Sequence, residues 1–480
     1  MDAAVAVDIA ALAQKLREEL AAADAPAAAQ LASVSSIVIA EVGALTRNVS
    51  PDDYAPQHVS IGPYHRIWNP QLARNDEKLR SLGAVMSAAS ATPAALEDCL
   101  GELARLEGDA RNCYAHGFAM DSSEFVRMLL LDACYVLVRL GRVARRRGNG
   151  GGDGGAPMAN GHVQGGLPSN CGSEAPSVAG GDMMEAVALV RDVLYLAENQ
   201  IPFFVVDEVH RLFFPDAGGV SAADAIAGYV RELLQGQQYS VATPAVAAPP
   251  PGNLLHLLHM HLTPTALPSP TTGDNDIATG GKRRRWVGRW RSATEYYCAG
   301  VGFRARRLGR KDTFSILDVK LDGGTLKIPR LSVDAETARL LRNLMALEQS
   351  NPAAAGSHVT AYCVFVSQLA CTARDVELLS RRGVISHGLG SHDEVAGILA
   401  GLCRGVAFGA DDPAGNYLGA TWLAMEERFQ SRPRRWAAWL MLKYFTNPWL
   451  AVGLAAAAVG LVCTVVQSVY SVLSYSPGGT

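Results

Sequence analysis

The sequence predicts a mainly α-helical domain with a minor β-hairpin element, followed by one C-terminal transmembrane helix. Three observations carry that prediction. Apolar residues recur at three- and four-residue spacing through most of the chain. Strict alternation is confined to one stretch around residues 314–328. No Lys, Arg, Asp or Glu follows Lys443.

In chain order, residues 1–34 form an N-terminal helical extension, in which Asp8, Lys15, Arg17, Glu18 and Glu19 make residues 8–23 amphipathic. Met1-Asp2 opens without a basic region, so this is not a secretory signal. Ser122 or Ser123 is placed to cap a helix carrying Phe125, Met128, Leu129, Leu137 and Leu140. Residues 182–198 make a further helix, and Pro202 starts another through Phe203, Val206, Val209 and Phe213. Phe314 to Leu321 alternates, Asp322-Gly323-Gly324 turns, and Thr325 to Ile328 returns as a hairpin. Asp334 caps residues 335–349, with Glu336 well placed against the helix dipole. Ser391 and Glu394 form a capping box for 392–404, and Pro413 begins a helix reaching Phe429. The helical domain therefore spans 35–445. It is interrupted by loops at 147–181, 241–252 and 264–292, where Gly, Pro, Ser and Ala leave too few apolar residues to offset chain entropy.

The segment 446–475 is the anchor, followed by a short tail, 476–480. Trp449, Leu450, Leu454, Gly460, Leu461 and Val466 belong to an uncharged run long enough to cross a hydrocarbon core about 30 Å thick. Trp436, Trp439, Tyr444 and Phe445 mark one membrane boundary and Tyr470 and Tyr475 the other. Arg428, Arg432, Arg434, Arg435 and Lys443 precede the helix and no basic residue follows it. The positive-inside bias then keeps the large domain in the cytosol, on the plasma membrane or an endomembrane. Gly453, Ala456, Ala457 and Gly460 offer a small-residue face for a helix-mediated oligomer.

Composition adds little chemistry. Net charge is −3, so no global basic field draws the chain to nucleic acid. The nine cysteines contain no C-x-x-C pair, which argues against a disulfide framework or a zinc site. Around Gly280-Gly281-Lys282 a phosphate loop would need Gly and Ser or Thr where Asp276 and Arg283 stand. The basic string Lys282 to Arg285, with Trp286, Trp290 and Arg291, is a solvated loop or a contact for an anionic membrane. His256 and His259 share a helix face without a neighbouring carboxylate in sequence, and His387 and His392 flank a Gly-rich turn; neither set reads as a metal site. No catalytic, cofactor or metal residues are assigned. The polar run Glu198-Asn199-Gln200, between two apolar helices, is the remaining candidate.

Several blocks occur in order. They are Tyr54-Ala55-Pro56, Val59–His65 (VSIGPYH), Glu124–Cys134, Glu198–Phe204 (ENQIPFF), Gly300–Phe303, Leu317-Asp318-Val319, Leu326–Pro329, Leu341–Leu344, Val359–Tyr362, and Tyr444-Phe445 with Pro448-Trp449. Together they resemble the plant DUF247 (UPF0481) family over roughly residues 35–475. Departures include Gly43 where a Val-Pro pair is usual, Arg66-Ile67 after the first block, and Ala197 before Glu198. The resemblance implies a single-pass plant membrane protein with a C-terminal anchor and no established active site. Some grass members are implicated as male determinants of self-incompatibility, which implies protein recognition. The expected interaction surface comprises Tyr64, His65, Glu198, Asn199 and Gln200, facing a protein partner. The alternatives are an enzyme with a pocket near Glu198 and His65, or a structural membrane protein.

Overall fold

A computed structural model describes residues 37–141, 187–215, 221–240, 249–265, 290–306, 314–409, 416–431 and 448–474. The expected N-terminal extension, most of the three loops, the Arg434–Phe445 lead-in and the tail lie outside the described residues.

Helices predominate, as expected, and they form around one apolar core that runs from Ile37 to Phe429. The first half centres on helix Ser122–Arg139. Nearly every side chain from Phe125 to Leu137 is buried, so it packs on all sides. This helix is α4; around it lie α2 (Asn75–Ala89), α3 (Pro93–Arg105) and α5 (Phe203–Phe213), with α1 (Pro63–Trp68) preceding them in the chain. Asp121, not Ser122 or Ser123, caps α4: its carboxylate accepts the Glu124 N–H at 2.8 Å and the Ser123 hydroxyl at 2.9 Å. Aspartate is as good a cap as serine, and the serines fall in the first turn.

The second half contains α6 (Ala222–Gly236), α7 (Leu254–Met260), α8 (Ala293–Cys298), α9 (Thr337–Ser350), α10 (His358–Leu369), α11 (Ala373–Arg381), α12 (His392–Gly401) and α13 (Gly419–Gln430). Asp334 starts α9 as expected, accepting the N–H groups of Glu336 and Thr337 at 3.0 and 2.8 Å. Half of the box expected at α12 forms. Ser391 accepts from the Glu394 N–H, but the Glu394 carboxylate takes the Gly390 N–H at 3.2 Å.

The hairpin forms at its tip. Strands β2 (Lys320–Asp322) and β3 (Thr325–Pro329) flank Gly323-Gly324, both with positive φ. Strand β1 (Gly302–Arg306) joins β3 in parallel, giving the order β1-β3-β2. A second parallel pair joins β4 (Leu331–Val333) to β5 (Ile385–His387). Residues 314–319 alternate in sequence yet are no strand. Asp318 takes the Ser315 N–H at 2.9 Å and Ser315 Oγ takes the Leu317 N–H at 3.2 Å, and these local bonds compete with a ladder.

The predicted 182–198 helix is α-helical only at its described start. Val190–Tyr195 is wound as a π-helix. Side chains further along the chain claim the carbonyls of Asp192, Val193 and Leu196, so the ordinary ladder is broken.

The last helix, α14 (Pro448–Ser474), has 27 residues, about 40 Å of rise. Its apolar window, Ala455–Val472, is wholly unburied, with Leu461, Val462 and Val466 open to solvent. Thr464 and Ser468 return their hydroxyls to the carbonyls of Gly460 and Thr464, at 2.8 and 2.9 Å. A helix built this way is long and apolar enough to span a membrane, with these two hydroxyls satisfied internally.

Candidate functional site

Glu198, Asn199 and Gln200 are consecutive, fully buried, and each grips a different part of the chain. Asn199 Oδ1 accepts the Ile61 N–H at 2.7 Å, while its Nδ2 donates to Val59 O and Asp192 O at 3.0 and 2.8 Å. Gln200 Nε2 donates to Val193 O and Leu196 O at 2.9 and 3.0 Å, closing the end of the π-helix. Gln200 Oε1 accepts the Leu254 and Leu255 N–H groups at 3.0 and 3.3 Å, at the start of α7. One amide thus joins two helix ends whose backbone groups would otherwise be orphaned. Glu198 Oε1 accepts from the Val42 N–H and the Arg47 guanidinium, and Oε2 lies 3.4 Å from His65 Nε2.

Neighbouring groups complete the hub. Asp192 Oδ2 accepts three consecutive backbone N–H groups, from Gln57, His58 and Val59, at 3.0, 2.5 and 3.0 Å. Gly62 has φ +75°, and a Cβ there would lie 2.3 Å from Gln200 O, so only glycine lets the two segments meet. The Gly62 N–H donates to Asp132 Oδ2 at 2.8 Å. Asp132 pairs through Oδ1 with Lys78 at 2.5 Å, both wholly buried, and Lys78 also donates to Ser60 O at 2.6 Å. Burial pushes the Lys78 ammonium below its ordinary value, against the pull of Asp132. Tyr64 is held by the His116 N–H at 3.1 Å, and burial raises its phenol.

The structure therefore brings all five expected residues together but not as a surface. Tyr64, His65, Glu198, Asn199 and Gln200 are all buried. The amides of Asn199 and Gln200 are fully taken by the fold, because a buried amide without partners would cost several kcal/mol, while Glu198 Oε2 and His65 Nε2 have only each other, at 3.4 Å. What reaches solvent is the layer above. Trp68 is 51% exposed and Leu45 82%. The Trp68 ring stands edge-on to His65 at 5.1 Å, with the Arg47 guanidinium carbon 5.4 Å from its centroid. Arg47 and Trp68 escaped the sequence reading, as did Asp192. Seven residues before Asn199, in an apolar stretch, Asp192 was the available signal for a buried carboxylate.

Other expectations resolve as follows. Asp318, in the Leu317–Val319 block, lies away from the hub, bound to Thr265 and Ser315. His259 meets Glu348 at 2.9 Å, and that carboxylate also accepts from the Val359 and Thr360 N–H groups, starting α10. His387 meets His392 at 2.9 Å. Among the described residues no group of three or more His, Cys, Asp or Glu side chains is placed to hold a metal. An apolar groove of about 670 Å³ lies away from the hub, between α2, α3 and α4, lined by Leu79, Leu96, Leu100 and Val126.

The sequence model of DUF247, a plant protein family of unknown function, matches residues 39–463. The chain belongs to the DUF247 family. A UPF0481 protein of Arabidopsis thaliana is similar to it, 24% identical over 448 residues, covering 89% of this chain and 84% of the relative. No solved structure matches. The DUF247 blocks VSIGPYH and ENQIPFF are thus the two sides of one buried hub: the first supplies backbone groups, the second the side chains that hold them.

Proposed function

We propose that this DUF247 protein is a membrane-anchored recognition or signalling component. In this reading α14 fixes the chain in a plasma or endomembrane, and the helical domain faces the cytosol toward a protein partner. The observation that carries the recognition surface is Trp68. It is half exposed yet seated from below by His65 and flanked by Arg47, both in contact with the buried Glu198. A large aromatic held rigidly at a surface loses little entropy on binding, and Trp and Arg dominate interface energetics. Leu45 and Ile67, both exposed, extend the apolar area. The expected interaction surface thus moves outward, from the Tyr64–His65 and Glu198–Gln200 hub to the rim it supports. A role in self-incompatibility would be one instance of such recognition.

The test is proximity labelling from the full-length protein in intact plant cells, native against Trp68→Ala, with protease protection of the domain. Loss of a discrete set of labelled cytosolic proteins in the variant, at equal abundance, supports the reading. An identical labelled set removes Trp68 from recognition, and labelling confined to extracellular proteins overturns the cytosolic orientation.

A further inference from the structure

The three-stranded sheet exposes a row of cations. In its register Arg304 lies opposite Lys327, and Lys327 lies opposite Lys320. Directly paired residues share a face, so the three side chains stand side by side across β1, β3 and β2. The other face is buried through Phe303, Leu326 and Ile328. Arg304 and Lys320 are exposed, and Lys327 keeps 42% of its side chain in solvent. Counter-charge is sparse. Asp322 pairs with Lys327 at 2.5 Å, and Asp318 lies 3.8 Å from Arg306, further along β1. Among the described residues Arg304 has no ion-pair partner, and Lys320 acts on Asp322 only from beyond ion-pair distance.

Like charges directly opposite one another destabilise a sheet. Charges on edge strands guard against edge-to-edge pairing. That accounts for Arg304 on β1 and Lys320 on β2, but not for Lys327 on the central strand. Nor is the row part of a general excess of base, since the chain carries net charge −3.

The sheet also stands beside the chain's route to the C-terminal helix. A Cβ at Gly324, in the hairpin turn, would collide with the Arg428 guanidinium of α13. Helix α13 ends at Gln430, and residues 432–447 separate Ser431 from Pro448. Such a stretch reaches at most about 60 Å. The cationic face is therefore within reach of the bilayer that α14 enters.

We propose that the Arg304–Lys327–Lys320 row docks on anionic phospholipid headgroups of the leaflet facing the domain. This rests on reading α14 as an anchor. Each Lys or Arg at such a surface favours the docked state about fivefold; with Asp322 offsetting one of the three charges, the row favours it roughly thirtyfold. High salt should erase the effect.

The test uses the full-length chain in nanodiscs of phosphatidylcholine, with or without phosphatidylserine. A pulse of amine acetylation is read by mass spectrometry, with an added lysine-containing peptide as reference. Lys320 and Lys327 are expected to react at least about fivefold more slowly in the anionic discs, with the protection lost in high salt and weakened by Arg304→Glu. Equal reactivity in both discs overturns the docking and leaves the row to an acidic protein partner. Failure of the chain to co-purify with either disc overturns the anchor reading, and the docking with it.

Discussion

Asn199→Leu isolates the hub from every other feature of the domain. Leucine branches as asparagine does but is bulkier, so no cavity is left, and the loss is of hydrogen bonds with some overpacking added. Three groups lose their partner: the Ile61 N–H and the carbonyls of Val59 and Asp192. Asn199 is wholly buried, so water does not replace the amide without opening the fold. At roughly 1–3 kcal/mol for each orphaned group, with the carbonyls at the low end, the expected cost is about 3–6 kcal/mol. That is a large share of a total stability of about 5–15 kcal/mol. The measurement is the denaturant midpoint of the full-length chain in mild detergent, followed by tryptophan fluorescence, together with hydrogen exchange at the Ile61 and Gly62 amides. The midpoint should fall sharply and the Ile61 amide should lose protection. Asn199→Asp should be at least as harmful at neutral pH. It keeps an acceptor for Ile61 but turns a negative oxygen toward two carbonyls. A loss below about 1 kcal/mol in Asn199→Leu, with Ile61 still protected, would refute the view that Asn199 holds the 59–62 segment.

Two further outcomes follow from the same geometry. Gly62→Ala places a Cβ against Gln200 O at a left-handed φ, and should remove the folded protein from expression trials or lower its stability by more than about 3 kcal/mol; near-native stability would show that the two segments can separate freely. Burial, reinforced by His259, holds the His256 imidazole down at about 4, so its neutral form is favoured by folding. The stability it contributes, about 3 kcal/mol, is complete above its unfolded value near 6.5 and is lost as pH falls toward 4. Denaturation midpoints across that window should flatten in His256→Gln, and an unchanged slope would assign the acid sensitivity to His210 and His358, whose values burial also lowers.

Local signals in the sequence translated into local structure where one residue decides the outcome. Asp334 starts α9, Pro202 precedes α5, and Gly323-Gly324 turns the hairpin, because caps, prolines and positive-φ turns act within a few residues. The misses share a different cause. Nothing near residue 190 in the sequence shows that Asn199 and Gln200 will reach back for its carbonyls, so a π-helix read as an α-helix. Nothing near residue 314 shows that Asp318 will fold back onto Ser315 rather than extend a strand. In the candidate site the residues were legible but their depth was not. Polar side chains between apolar helices fit equally a ligand site and a buried clamp, and only the partners at 59–61 and 254–255, far away in sequence, separate the two.

That separation changes where function should be sought in the chain. In the segments VSIGPYH and ENQIPFF a buried polar network tolerates few alternatives: each donor must face its acceptor, and a glycine must stand where the two segments touch. Substitutions there act on folding, and any loss of binding they cause is secondary. Recognition, by contrast, requires groups that water can leave and a partner can enter. Trp68 and Arg47 satisfy that requirement and still depend on the hub, through His65 and Glu198. A Glu198→Gln variant therefore cannot by itself distinguish scaffold from surface, since it loosens Arg47 as it weakens the clamp. Trp68→Ala can, because its ring makes no hydrogen bond that holds the fold and lies outside the buried core.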